Sequence, residues 1–201
     1  MLIGVAIVLA MSCKSTAQQS NATTSVETKS PNTDYKPAFA GQTRIKAVVT
    51  KTPFEAKVLA SGLRSPWGLA ALPDGRLLIT EKPGIMRIVS QAGAVGEPIN
   101  GVPAVNGRGQ GGLLGLCLDP SFASNKMVYW AFSESLPEGN LTSVAKGKLS
   151  SDEKSLENVT VIYRAIPAYS GALHYGGRVL FSKDGNLFVS TGERSDMETR
   201  P

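Results

Sequence analysis

The chain has 201 residues and a formal net charge of +5. Its hydrophobic content of 42% and charged content of 18% are typical of a globular protein. The lysines and arginines are scattered, and no basic run carries interleaved aromatic residues, so the composition argues against a nucleic-acid partner. The 21 glycines and 12 prolines favour many short elements joined by turns over a few long helices.

Residues 1–13, MLIGVAIVLAMSC, predict a signal peptide. The apolar run of about ten residues ends in small residues and is too short to span a bilayer. Its last four residues, AMSC, resemble a bacterial lipobox, although the usual leucine lies one place too early and no positive segment precedes the run. We therefore expect a periplasmic or outer-membrane-anchored protein tethered through a lipidated Cys13. Plain secretion and a cytosolic chain are the alternatives.

Residues 14–53 are rich in polar residues and have few large apolar ones. Such a segment buries too little surface to offset its ordering entropy, so it is predicted to be a disordered tether. The folded part is expected to span residues 54–201. Of the two cysteines, only Cys117 falls in this part, and its apolar surroundings in GLLGLCLDP predict a buried, unpaired thiol.

A hairpin phrase recurs three times, at residues 69–81, 114–132 and 178–193. Each copy is a short apolar strand, a turn containing Asp with Gly or Pro, and a second apolar strand. The turn aspartates are 45 and then 65 residues apart. One propeller blade takes about 40–50 residues, so the longer step allows a decorated blade or an insertion around residues 133–160.

The whole pattern predicts an all-β fold. No stretch after residue 50 has a sustained helical period, and residues 141–167 read as a strand, an acidic turn and a strand. Repetition of the hairpin favours a β-propeller over a β-sandwich. Three phrases account for about three blades, and closure needs at least four. We therefore expect the N-terminal part of a longer protein; the alternative is a short chain that closes by oligomerising.

Two glycine-rich segments are candidates for a functional site. They are NGRGQGGLLG at 106–115 and YSGALHYGGRVLF at 169–181, and each precedes the first strand of a hairpin phrase. Equivalent positions in a radial repeat face the same central region, so Gln110 and His174 are expected to converge. Histidine exchanges protons near neutral pH, and glutamine offers both a donor and an acceptor. The alternative is a structural histidine in a glycine-rich loop.

Three ordered motifs, SPWGLAALPDGRLLITEKPGIMRIV, GQGGLLGLCLDPSFASNKMVYWAFSE and ALHYGGRVLFSKDGNLFVSTGER, resemble the glucose/sorbosone dehydrogenase family. The resemblance runs from about residue 56 to the end of the chain. It implies a six-bladed β-propeller, of which this chain covers roughly the first three blades. It also implies pyrroloquinoline quinone (PQQ) and calcium as cofactors, and oxidation of the anomeric hydroxyl of aldoses to lactones with hydride transfer to the quinone.

The resemblance assigns roles to three residues. His174 would be the general base, Gln110 would lie beside cofactor and sugar, and Glu193 would be an acidic substrate-binding position. Leu173 stands where some glucose-active members have aspartate, which points to the branch with broad aldose specificity. The calcium ligands and most cofactor contacts are expected beyond this chain. The implied partners are an aldose substrate and an external electron acceptor.

Two rival functions stay open on the sequence. The first is a non-catalytic, cell-surface propeller module that binds sugars. The second is a metal-dependent lactonase, which needs several converging carboxylates such as Glu81, Glu193 and Glu198. Trp67 is expected to pack in the core between blades, because large aromatic residues fill such wedges.

Overall fold

The computed structural model describes residue 30, residues 34–40 and residues 50–198. The predicted signal peptide and most of the predicted tether therefore lie outside the described residues. Contacts divide the chain into two units, Met1–Ala56 and Lys57–Pro201. The described residues of the first unit form no helix or strand. Among all the residues described, no helix has the length and apolar character needed to cross a membrane.

The first sheet has three antiparallel strands in the order β1-β2-β3. The strands are β1 (Pro66–Ala71), β2 (Leu77–Glu81) and β3 (Ile85–Val89). The predicted turn between β1 and β2 is confirmed: the Arg76 amide donates to Asp74 Oδ1 at 3.0 Å. Gly75 has a φ of +83°, which a glycine adopts without strain.

The second sheet has four antiparallel strands in the order β4-β5-β6-β7. They are β4 (Leu113–Leu118), β5 (Met127–Leu136), β6 (Gly139–Leu149) and β7 (Leu156–Arg164). A four-residue helix, α1 (Phe122–Asn125), lies in the β4–β5 connection. The long strands β5, β6 and β7 occupy most of residues 133–160, so the wide spacing between the second and third phrases reflects the outer strands of this sheet.

The third sheet is a hairpin of β8 (Gly176–Phe181) and β9 (Leu187–Thr191). All three predicted hairpin phrases are therefore confirmed, and the prediction of an all-β fold is confirmed as well. Within each sheet, every strand pairs with the next strand along the chain, so each sheet is a meander.

The first strand of every sheet carries the same irregularity. The pairing register shifts between Pro66 and Leu69 in β1, between Leu113 and Leu116 in β4, and between Gly176 and Val179 in β8. β4 packs against both β1 and β8. A Cβ atom on Gly115 of β4 would lie only 2.4 Å from the Gly177 carbonyl oxygen of β8. Close approach of these first strands brings together the loops that precede them.

The core between the first two sheets is apolar, which supplies the main driving force for their packing. Its fully buried members are drawn from both sheets: Leu78, Met86, Leu113, Val128, Trp130 and Phe132. A second cluster joins the second and third sheets through Leu114, Ala131, Val144, Tyr175 and Val179.

Two expectations about burial are corrected. Trp67 is 38% exposed, although its ring lies close to Gly115 of β4 and has the Arg178 guanidinium of β8 5.0 Å from its centroid. Cys117 is unpaired as predicted, but it is only half-buried: it lies near the end of β4 and packs against the edge of the cluster between the second and third sheets. Burial still raises the pKa of the Cys117 thiol to about 12.

Candidate functional site

Gln110 and His174 are in contact, which confirms their predicted convergence. The His174 amide donates to Gln110 Oε1 at 2.9 Å, across 64 positions in the sequence. The backbone amide of Gln110 donates in turn to the Ala172 carbonyl at 2.8 Å. The loop before β4 and the loop before β8 are thus joined by two hydrogen bonds, and both side chains remain exposed at the surface.

Gly109 allows the close approach of these two loops. Its φ is +51°, and a Cβ atom there would lie 2.3 Å from the Ala172 carbonyl oxygen. A larger residue would have to push the two loops apart. On the other side, Lys82 Nζ donates to the Gly109 carbonyl at 2.5 Å, so the turn after β2 also supports the loop that carries Gln110.

Glu193 is paired with the imidazole of His174. His174 Nδ1 lies 2.5 Å from Glu193 Oε1, with side-chain exposures of 42% and 30%. The β8–β9 register explains the pairing: Gly176 is opposite Thr191, so residues just before β8 face residues just after β9. A carboxylate on Nδ1 favours the tautomer with a proton on Nδ1, which leaves Nε2 as the acceptor.

Sequence reasoning placed Glu193 near the substrate and did not foresee its bond to the imidazole. It also missed Asn140, Tyr175 and Arg194, which surround the backbone beneath His174. Tyr175 is buried and its hydroxyl donates to Asn140 Oδ1 at 2.5 Å. Burial raises the pKa of Tyr175 and lowers the pKa of the Arg194 guanidinium. The only sequence signal for Tyr175 and Arg194 was their position on either side of the predicted hairpin, and Asn140, on β6, had none.

The described residues contain no group of three or more His, Cys, Asp and Glu side chains able to hold a metal ion. Glu81, one of the carboxylates considered for a lactonase, is fully buried and forms an ion pair with Arg87 at 3.1 Å. Its second oxygen accepts the Arg64 amide at 2.5 Å. Glu81 therefore fixes the end of the first sheet instead of facing a ligand.

Two side-chain nitrogens of the site are available to a ligand. Within the described part of the chain, no hydrogen bond uses Gln110 Nε2 or His174 Nε2. One is an amide donor suited to a carbonyl or hydroxyl oxygen, and the other is a basic nitrogen suited to a hydroxyl proton. A cavity of about 240 Å³ is lined by Tyr169, Gly192 and Arg194 among others, and its lining includes none of Gln110, His174 and Glu193.

The sheets are successive meanders whose first strands pack together and whose preceding loops converge. This arrangement defines consecutive blades of a β-propeller. The family model described as "Glucose / Sorbosone dehydrogenase" matches residues 63–201, and the chain belongs to that family.

The chain is similar to a curated relative in sequence and to solved structures in fold. The chain is 37% identical over 145 residues to the aldose sugar dehydrogenase YliI of Escherichia coli strain K12, which covers 71% of this chain and 39% of the relative. A structure described as a glucose dehydrogenase is 43% identical, with a TM-score of 0.68, and the match covers 70% of this chain and 44% of that one. The PQQ-bound aldose sugar dehydrogenase of Streptomyces coelicolor is 33% identical, with a TM-score of 0.61, over 71% of this chain and 42% of that one.

The chain thus spans about two fifths of the length of the relatives it matches. The family members above include a protein solved with PQQ bound, and they are aldose sugar or glucose dehydrogenases by description.

Proposed function

We propose that the protein is a quinoprotein oxidoreductase that oxidises the anomeric hydroxyl of aldose sugars to lactones. The observation that carries the proposal is the contact between the two loops, with a Glu193–His174 pair and a Gln110 amide on the same surface. Membership of the glucose/sorbosone dehydrogenase family supports it independently.

His174 Nε2 takes the proton of the anomeric hydroxyl in this mechanism. PQQ, when bound, supplies the acceptor for the hydride that leaves C1 of the sugar. As the proton and hydride leave, the C1–O bond becomes the carbonyl of the lactone. The proton ends on the imidazole, and the two electrons leave with the hydride.

Glu193 supports the base in two ways. Its carboxylate accepts from Nδ1, which holds the ring orientation and keeps the Nε2 lone pair available. It also stabilises the positive charge that develops on the ring as the proton arrives. This role adds to the proposed substrate contact of Glu193.

Gln110 is proposed to bind both cofactor and sugar. Its Oε1 is already used by the His174 amide, so Nε2 is the group that would donate to a quinone or hydroxyl oxygen. One side chain then links the position of the base to the position of the ligand. Calcium would accompany PQQ, with its ligands proposed to lie outside this chain, and an external acceptor would reoxidise the cofactor.

The test is an aldose oxidation assay on the protein expressed from its complete gene. The purified protein is mixed with D-glucose or D-xylose and a reducible dye, with and without PQQ and calcium. We expect dye reduction only when PQQ and calcium are present. His174→Gln should lower turnover by roughly 10²–10⁴-fold, the usual size of a general-base contribution.

Turnover of His174→Gln within about threefold of wild type would remove His174 from the chemistry. Glu193→Gln is the companion variant, and it should lower turnover less, because an amide can still accept from Nδ1 but carries no charge. The sugar-binding alternative predicts aldose binding by calorimetry with no dye reduction under any of these conditions. The observation that favours this alternative is the open, exposed position of Gln110 and His174.

A further inference from the structure

The guanidinium of Arg194 lies beneath the loop that carries His174 and uses all three of its nitrogens there. Nε donates to the Leu173 carbonyl at 3.0 Å, and Nη2 donates to the Gly171 carbonyl at 2.5 Å. Nη1 and Nη2 also donate to the backbone and side-chain oxygens of Asn140, at 3.1 and 2.7 Å. One planar group therefore ties two carbonyls of the His174 loop to strand β6.

The same guanidinium is stacked on an aromatic ring. Its central carbon lies 4.0 Å from the centroid of the Tyr175 ring, and Tyr175 is the residue next to His174. Tyr175 is itself fixed, because its carbonyl accepts from Thr142 Oγ1 at 2.6 Å. The residues on both sides of His174 are thus held by Arg194, through a hydrogen bond on one side and a stack on the other.

The backbone at these positions is unusual. His174 has a φ of 45° and Arg194 a φ of 59°, both in the left-handed region that residues other than glycine adopt only rarely. Such conformations persist where the surrounding contacts over-determine them, and they cluster at functional sites. Here the Gln110 side chain holds the His174 amide, and the Arg194 side chain holds the neighbouring Leu173 carbonyl.

We propose that Arg194 is a positioning residue for His174: it fixes the carbonyls of residues 171 and 173 so that the imidazole stays between Gln110 and Glu193. The inference rests on the proposed function, because the position of His174 affects catalysis only if this residue exchanges a proton. Lysine cannot replace arginine in this role, since a single ammonium group has neither the planar fork nor the stacking face.

The experiment compares Arg194→Lys and Arg194→Met with wild type, in the protein expressed from its complete gene. The matched control is Arg164→Met, which removes another arginine that makes two bonds to one partner, Glu134 on β5, away from the His174 loop. Three quantities are measured: kcat and KM for D-glucose with PQQ and calcium, the melting temperature, and backbone amide exchange across residues 169–176 in the protein without cofactor.

We expect Arg194→Lys to lower kcat by about 10–100-fold, since a misplacement of about 1 Å can cost this much. KM should change by less than about threefold, because no proposed sugar contact is removed. Amides of residues 172–175 should exchange faster than in wild type. Arg164→Met should leave kcat and this exchange unchanged.

The proposal is overturned if Arg194→Lys retains kcat within threefold of wild type, or if Arg164→Met at a similar loss of melting temperature reproduces its effect. Unchanged exchange in Arg194→Lys also overturns it, whatever the activity. If wild-type protein oxidises no aldose, the proposed function fails, and the amide exchange still decides separately whether Arg194 holds the loop. Should Arg194→Met not fold, the lysine variant alone carries the test.

Discussion

Gly192 packs directly against the backbone of His174. A Cβ atom there would lie 2.0 Å from the His174 carbonyl oxygen, closer than any real Cβ contact. We predict that Gly192→Ala separates the strand ends and lowers the melting temperature by about 2–10 °C, since overpacking costs about 1–3 kcal/mol. Differential scanning calorimetry measures this change, and dye reduction should fall with it.

Gly107→Ala is the matched control for that variant. Gly107 lies in the other glycine-rich segment, its φ is not in the left-handed region, and nothing lies within 4 Å of a Cβ atom built there. The melting temperature of Gly107→Ala should equal that of wild type. Equal melting temperatures for the two variants would show that the backbone at Gly192 yields to a methyl group at no cost.

At the level of individual residues, the sequence predicted part of the candidate site. Gln110 and His174 could be paired in advance because both precede the first strand of a repeated hairpin. The Glu193–His174 bond could have been found by the same route, since positions flanking one hairpin face each other in an antiparallel pair. The contacts of Arg194 could not, because they depend on side-chain directions and on Asn140 from a different sheet.

Among the elements, strands β5, β6 and β7 are joined by a polar network around Glu134. Its carboxylate accepts from Ser143 Oγ on β6 at 2.6 Å and from Arg164 Nε on β7 at 2.7 Å. The hydrogen bonds from Arg164 are the largest cause that lowers the pKa of Glu134. A lowered pKa means that the folded state favours the charged carboxylate.

We predict that Glu134→Gln lowers the melting temperature by about 1–4 °C at pH 7, as expected for a partly exposed ion pair. A carboxylate with a lowered pKa stabilises the fold above its unfolded pKa of about 4.3, and this stabilisation is lost as pH falls through the lower folded value. The difference between the two proteins should therefore shrink as pH falls below about 4.3. Thermal melts followed by circular dichroism between pH 3 and 7 measure it.

Glu157→Gln on β7 is the control for Glu134→Gln, because Glu157 is exposed on the same sheet and takes no part in that network. It should have the same melting temperature as wild type across the pH range. A Glu134→Gln deficit that stays constant down to pH 3 would assign the loss to packing instead of charge.

The strands themselves were largely predictable, because alternating apolar residues flank Asp-Gly or Asp-Pro turns in all three phrases. Helix α1 was not, because four residues are too few to establish a helical period. The length of β5 and β6 was missed for a related reason. Buried polar residues, Ser133, Thr142 and Ser143, interrupt the apolar pattern although they lie inside the sheet.

For the molecule as a whole, the proposed membrane tether depends on Cys13, which lies outside the described residues. We predict that the protein expressed in a Gram-negative host is found in the membrane fraction and incorporates labelled fatty acid. Cys13→Ser should abolish the labelling, because only a thiol at the cleavage site accepts the lipid. Cys117→Ser, which alters the other cysteine of this sequence, should be labelled like wild type.

Labelled fatty acid in Cys13→Ser would place the lipid elsewhere, and wild-type protein free in the periplasm would favour plain secretion over a lipid tether. Neither result would alter the proposed chemistry at His174, because the predicted tether lies in a different part of the sequence from the candidate site.

The meander order within every sheet has a consequence for synthesis of the protein. Each strand pairs with a neighbour close in sequence, and the four strands from β4 to β7 are complete once residue 164 has been added. Contacts between nearby residues form quickly, and emergence from the ribosome delivers about 5–20 residues per second. A growing chain can therefore complete one sheet before the next sheet has been synthesised. As a result, unpaired strand edges are exposed to other nascent chains only briefly.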